Sequence, residues 1–339
     1  MSIFKDIKCL VTGSAGMIGS NFVQRLIQEN AKVYATYHNT MPTIYNGDLK
    51  PYALIKANLE EEKDLNYICH GMDYIFHCAG KSYGAGAQVE NALNLIGPNI
   101  KMNYNILAAA HKAQVKAFVY LSSMTGYPAY DYPVEEEEFY LGDPPGVYFG
   151  VGWMKRYSEK LCQFFAQHID KNITCIVPRP SNIVGPRDCF DPSKSHVFPA
   201  MIKKIIDGDN PVEVWGDGKN KRDFLHVDDF IDAVFLMIKK IGFFEPLNIA
   251  YGQSFSVIEI LGYALQSLGV KTDENGFIAP KMFLNKNKPL VLKNRLVNND
   301  RARELLGWRP KRNIEKMVLD VINWYKEHIK DNKNGSTIH

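Results

Sequence analysis

Gly13, Gly16 and Gly19 lie in the stretch CLVTGSAGMIGSNFV with the spacing G-x-x-G-x-x-G. An apolar run precedes them and an amphipathic segment follows, so the pattern predicts a strand, a tight turn and the start of a helix. Glycine lets the backbone turn sharply and approach a pyrophosphate, which the free N–H groups and positive dipole end of a helix attract. The chemistry served is the holding of a dinucleotide. An acidic side chain about 20 residues further on would bind the adenosine ribose. Here the second strand ends Ala35-Thr36-Tyr37-His38-Asn39, with neither carboxylate nor arginine. The lack of a fixed cation for a 2′-phosphate favours NAD; NADP stays open because His38 can be protonated.

No other pattern suggests a bound ion. The six cysteines are scattered, without a C-x-x-C pair or histidines at zinc spacing, so they are expected to be reduced thiols, and no metal is expected. A net charge of +3 is too small to argue for nucleic acid or an anionic membrane surface. No apolar run approaches the ~20 residues of a membrane helix, and MSIFKDIKCLVTG runs straight into a strand, so no signal peptide and a cytoplasmic location are expected.

These groups need elements to position them. KCLVTG, NFVQRLIQEN, KVYATY, DYIFHCAG, NIKMNYNILAAAHKAQ and AFVYLSS alternate short apolar runs with helix-period segments. Such alternation predicts βαβ units: an α/β Rossmann fold, a doubly wound parallel sheet with helices on both faces. A long helix is expected over about Tyr148 to Ile169. Beyond Arg179, Pro, Gly and Asp become frequent, which predicts a smaller α/β substrate domain. The expected division is 1–178 plus 227–250 for the dinucleotide, 179–226 plus 251–330 for the substrate, and a flexible tail over 331–339. Val227–Ala250 is expected to return to the first sheet, and Glu135–Glu138 to be a solvated loop face.

The glycine loop, HCAG (His77–Gly80), NIKMNYNILAAA (Asn99–Ala110), LSSMTGYP and RPSNIVGP occur in one order. With them the chain resembles the extended short-chain dehydrogenase/reductase family of NAD(P)-dependent nucleotide-sugar epimerases, dehydratases and reductases, over about Lys8 to Pro310. The resemblance implies cofactor contacts from Ala15, Met17, Ile18, Tyr37, His38, Asn58, Leu59, Cys78, Ala79, Gly80, Asn99, Ser122, Lys155 and Pro180, besides the glycines. It also implies a homodimer through the helices around Asn99–Ala113 and Tyr148–Ile169. CFDPSKSHVFPAMI and VEVWGDGKNKRDFLHVDD are most similar to the GDP-fucose-synthase subgroup. That likeness implies a GDP-sugar substrate held by Lys81, Asn182, His196, Val197, Trp215, Arg222 and Arg295. Arginine forks onto phosphate and an indole offers a stacking face, which fits. Taken singly, Trp215 reads equally as core and Arg222 as an ion-pair partner of Asp223 or Asp228.

The family's chemistry is hydride transfer between nicotinamide and a sugar carbon. By position, Ser123 matches its Ser/Thr and Lys155 its lysine, whereas Val151 matches its tyrosine and cannot carry a proton. The resemblance implies Asp-Glu after the serine in dehydratases, where Met124 and Thr125 stand here. It implies a cysteine at Thr125 in the double epimerisation of fucose synthase. What remains is redox at one carbon, in bacterial surface-polysaccharide synthesis; a narrower likeness is to GDP-manno-heptose 4-dehydrogenases of capsule synthesis. Tyr148, three residues before Val151 and seven before Lys155, would share their helix face, about 4.5 Å nearer the N-terminus. It is therefore the expected substitute for the tyrosine, directly or through water. A 4-keto-sugar reductase or epimerase, and a non-catalytic NAD-binding sensor, are the competing expectations.

Overall fold

Short strands that are apolar on both faces pair in parallel only when helices cover them above and below. The computed structural model, which describes residues 2–42, 50–82, 92–192, 194–270, 281–287 and 294–330, has that arrangement. The chain runs through β1 (Lys8–Thr12), α1 (Met17–Gln28), β2 (Lys32–Tyr37), β3 (Ala53–Lys56), α2 (Leu65–Cys69), β4 (Tyr74–His77) and α3 (Ala92–Lys112). It continues through β5 (Ala117–Tyr120), α4 (Phe149–Gln167), β6 (Thr174–Pro180), β7 (Asn182–Val184), α5 (Val197–Asp207), β8 (Val212–Trp215) and β9 (Lys221–His226). Then α6 (Val227–Lys240) leads to β10 (Phe244–Ile249), which returns to β6. The remainder is β11 (Ser254–Ser256), α7 (Val257–Ser267), β12 (Met282–Asn285), β13 (Asn294–Arg295), α8 (Asp300–Leu306) and α9 (Ile314–Tyr325).

Seven strands form one parallel sheet in the order β10-β6-β5-β4-β1-β2-β3. This is the doubly wound Rossmann topology, and its order reverses between β1 and β4, where the crevice for a ligand opens. One core contains Phe22, Phe76 and Phe230; the other contains Leu10, Ile106, Phe118 and Cys162. A third core, with Phe198, Phe224, Phe255 and Met317, joins α5, α7 and α9 to β9.

A buried polar chain locks the crevice. The His77 ring lies between Thr12 Oγ1 at 2.8 Å and Asn103 Oδ1 at 3.0 Å, and Asn103 Nδ2 donates to Ser158 Oγ at 2.9 Å. This ties β1 and β4 to α3 and α4.

The expected long helix is Phe149–Gln167, entered directly from a 3₁₀ turn, Gly146–Tyr148, while the reading of Glu136 needs correction. Pro144 and Pro145 explain this: Pro145 is extended at φ −61° and ψ 152°, so the chain enters as a tight turn. Glu136 is not on a solvated face. It is buried, and its carboxylate accepts from Asn248 N at 2.8 Å. The expected flexible tail, 331–339, lies outside the described residues. Among the described residues, no helix is long and apolar enough to cross a membrane.

Candidate active site

The turn after β1 is closed by glycines for steric reasons. Gly13 has φ +66°, and a Cβ there would lie 2.6 Å from Ala79 Cα; one on Gly19 would lie 2.3 Å from Gly13 O. Side chains at either would force apart the turn, the loop after β4 and α1. Gly16 is the N-cap of α1, exposed, with no side chain engaging the first N–H groups and no acidic residue in the first turn. Ala15 is exposed beside it, and Met17 and Ile18 are half-buried. An open, uncharged helix end bearing free N–H groups fits a dinucleotide pyrophosphate. Cys78, Ala79 and Gly80 follow β4 across the crevice.

At the end of β2, Tyr37 is half-buried and His38 exposed. Asn58 and Leu59 follow β3; Asn58 Nδ2 donates to Glu61 Oε1 at 3.0 Å, and the Glu61 carboxylate interacts electrostatically with His38. The acidic group near this end thus comes from the loop after β3, not from β2. Asn99 uses both ends of its amide on the backbone of one residue: Nδ2 donates to Lys81 O at 2.9 Å, and Oδ1 accepts from Lys81 N at 2.8 Å. The Lys81 ammonium pairs with Glu60 at 2.9 Å, on the side of Asn58 and Leu59.

The Ser122 side chain points into the interior. Its hydroxyl donates inward to the Glu159 carboxylate, which forms a buried ion pair with Arg179 at 2.7 Å. Arg179 further donates to Tyr127 Oη at 3.1 Å and to Glu136 O at 2.9 Å. This network of α4, β6 and the 127–140 loop was not foreseen from sequence. A usable signal existed: Glu159 is four residues after Lys155 and hence on the same helix face. Pro180 is buried at the end of β6.

Ser123 caps a 3₁₀ turn, Met124–Gly126, accepting from Thr125 N at 3.1 Å. Thr125 Oγ1 donates to the same oxygen at 3.0 Å. Lys155 Nζ donates to Leu121 O at 2.7 Å and stands 5.1 Å from the Tyr120 ring centroid. Burial pushes its pKa down to about 8, against the opposing influence of Glu159 and Cys162. Val151, half-buried one turn earlier, leaves that position without an acid or base. Met124 is buried in a cluster with Tyr127 and Phe139.

Tyr148 packs with Arg295: its ring lies 4.3 Å, centroid to Cζ, from the guanidinium, and its hydroxyl hydrogen-bonds that group. Arg295 and Arg222 are register partners on β13 and β9, so two cations face one place, and burial lowers both their pKa values. The proposed ion-pair partners of Arg222 are occupied elsewhere. Asp223 accepts from Tyr251 N at 2.9 Å and Gly252 N at 2.7 Å, while Asp228 pairs with Arg312 at 3.0 Å. Paired guanidinia on neighbouring strands have the chemistry that binds a diphosphate.

Asn182 Nδ2 donates to Asp223 O at 2.8 Å, placing it beside Arg222 on β9. His196 and Val197 open α5, both exposed, and the walls around His196 lower its pKa by desolvation although solvent reaches it. Trp215 ends β8 with 42% of its surface exposed, and its indole hydrogen-bonds Glu213. Among the described residues no cluster of His, Cys, Asp or Glu could hold a metal ion.

Comparison with known proteins gives the family and the fold. The model of the NAD dependent epimerase/dehydratase family matches residues 9–250. A dTDP-4-dehydro-6-deoxy-D-allose reductase of Streptomyces is 28% identical over 326 residues, covering 94% of this chain and 96% of that protein. A GDP-L-colitose synthase of Yersinia pseudotuberculosis is 27% identical, covering 94% of this chain and 98% of its own length. A UDP-glucose 4-epimerase of Thermotoga maritima, solved with UDP-glucose, has the same fold, with a TM-score of 0.81 at 24% identity over 95% of this chain and 99% of that one. A family match across most of the chain, on a doubly wound sheet whose crevice suits a dinucleotide, leads to one conclusion: the protein is an enzyme of the NAD-dependent epimerase/dehydratase family.

Proposed function

We propose that the protein is an NAD-dependent oxidoreductase acting at C4 of a GDP-sugar, a GDP-hexose or GDP-heptose. The observation that carries this reading is the set Ser123, Val151 and Lys155. A hydroxyl-holding serine and a buried amine are kept, the tyrosine is gone, and no carboxylate or thiol for dehydration or epimerisation stands at Met124 or Thr125. NAD, when bound, supplies the hydride acceptor. Ser123 holds the sugar hydroxyl oxygen, and Lys155 Nζ takes its proton, the amine being partly neutral near its lowered pKa. Arg222 and Arg295 grip the diphosphate from two strands, with Tyr148 steadying Arg295. Trp215 stacks on the base, and Asn182, His196 and Val197 line the sugar and guanine.

GDP is favoured by the relatives named GDP-L-colitose synthase and GDP-L-fucose synthase. A second reading runs the same chemistry backwards, as reduction of a 4-keto sugar, and the reductase relative favours it. In this account the dinucleotide lies on 1–178 plus 227–250 and the nucleotide sugar on 179–226 plus 251–330. We also propose a homodimer, because Phe149, Trp153, Tyr157 and Phe164 form an exposed aromatic stripe along α4, next to exposed Tyr104 of α3. The setting we propose is bacterial surface-polysaccharide synthesis from the cytoplasm. Mass spectrometry of ligands released from the denatured protein, followed by turnover with GDP-, UDP- and dTDP-sugars, tests the assignment. A GDP-sugar lighter by two hydrogens supports it; turnover confined to UDP-sugars contradicts it.

A further inference from the structure

We propose that Thr125 is a positioning residue that fixes the Ser123 hydroxyl as a hydrogen-bond donor to the reacting sugar oxygen. The proposal rests on the oxidoreductase reading above.

A serine oxygen carries two lone pairs and one proton. At Ser123 both lone pairs are engaged by one neighbour: Thr125 N donates at 3.1 Å and Thr125 Oγ1 at 3.0 Å. The 3₁₀ turn enforces the first bond, because Ser123 is its N-cap. The second depends on the threonine hydroxyl, and β-branching restricts χ1 and holds that hydroxyl in place. With its acceptor capacity filled, Ser123 has only its proton to offer an incoming ligand. It can steady an oxygen on which charge builds, but it cannot relay a proton, since that requires a free lone pair.

The balance of the step follows. The C4–H bond breaks and its electron pair leaves as hydride to NAD. The O–H bond breaks, its electrons close the C=O bond, and its proton goes to the Lys155 amine. Ser123 donates to the oxygen throughout and keeps its own proton. In a site with a tyrosine, the phenol would share in orienting this serine. Val151 offers no such group, so the orientation falls to Thr125. The threonine is thereby assigned a use although it is neither acid nor base.

The test is a double-mutant cycle on the full-length enzyme, assayed by NADH formation across GDP-, UDP- and dTDP-sugars. The variants are Thr125→Val, Thr125→Ser, Ser123→Ala and Ser123→Ala/Thr125→Val, with NADH affinity measured by fluorescence as the check on the fold. Removing an oxyanion donor costs about 10²–10³-fold in kcat, so Ser123→Ala should fall in that range. Thr125→Val should lower kcat roughly tenfold, at the upper end of the range for a lost hydrogen bond between neutral groups, with KM and NADH affinity unchanged. Thr125→Ser should restore the rate, and Thr125→Val should cost less than about twofold on top of Ser123→Ala. An unchanged kcat in Thr125→Val, or the same fold loss in both backgrounds, overturns the proposal. A wild-type enzyme that turns over none of the panel in either direction overturns the oxidoreductase reading, and the proposal with it.

Discussion

Tyr148 and Arg295 form a stacked, hydrogen-bonded pair, with the guanidinium 4.3 Å above the ring. Such a contact fixes a long, entropically mobile side chain where two arginines must be held against mutual repulsion. On the proposed reading, this gives the tyrosine a part in holding substrate rather than moving a proton. Tyr148→Phe keeps the stacking face and loses one hydrogen bond, so KM for the nucleotide sugar should rise about two- to tenfold while kcat stays within about twofold. A fall in kcat of about 10²–10⁴-fold at constant KM would make Tyr148 the base after all.

The amine proposed to accept the proton sets a pH dependence. Lys155 must be neutral to accept, and its pKa is pushed down to about 8 by burial, with Glu159 and Cys162 holding it from falling further. Oxidation should therefore speed up as pH rises through about 8, while reduction of the keto sugar should be favoured below it. A pH profile of kcat/KM reads this directly. A limb left in the ordinary lysine range would place the proton elsewhere. Lys155→Met should lose about 10²–10⁴-fold in kcat.

The bridge from β1 to α3 predicts an acid-labile fold. Burial lowers the pKa of His77 from 6.5 to about 4, the Asn103 bond opposing, so the fold holds the ring neutral. Between these values the unfolded chain binds the extra proton. The stabilisation is therefore complete above about pH 6.5 and is lost as pH falls through 4, amounting to about 3 kcal/mol. Urea unfolding at pH 7 and near pH 4 should show that loss in the wild type and a smaller one in His77→Gln. Equal losses would deny His77 this role.

Glu159 and Arg179 are almost wholly removed from solvent, at 0% and 3% side-chain exposure. Breaking such a pair leaves an uncompensated charge, so Glu159→Gln should destabilise by about 3–5 kcal/mol. Replacing both by apolar residues of similar size should cost less than either single change. Thermal melts of the two single variants and the double variant check it; additive losses would contradict the pairing.

The strand-turn-helix around Gly13, Gly16 and Gly19 was legible because steric need and helix polarity write themselves into local spacing. Lys155 and Arg222 were legible for a related reason, lying in ordered motifs. The Glu159–Arg179 pair was not, since it joins a helix to a strand with no periodic trace beyond the helix face shared with Lys155. Nor was the true neighbour of Tyr148. Two prolines make the entry to α4 a 3₁₀ turn, and the ring of Tyr148 at its end meets Arg295. Glu136 misleads in the same way: within a run of four glutamates, only the folded loop shows which one turns inward.

The most direct test of the central claim is to mix the purified protein with NAD and each GDP-sugar, follow NADH absorbance, and weigh the product. The account predicts stoichiometric NADH and a sugar lighter by two hydrogens, with the carbonyl at C4. A product lighter by one water, or one of unchanged mass with inverted stereochemistry, would contradict it.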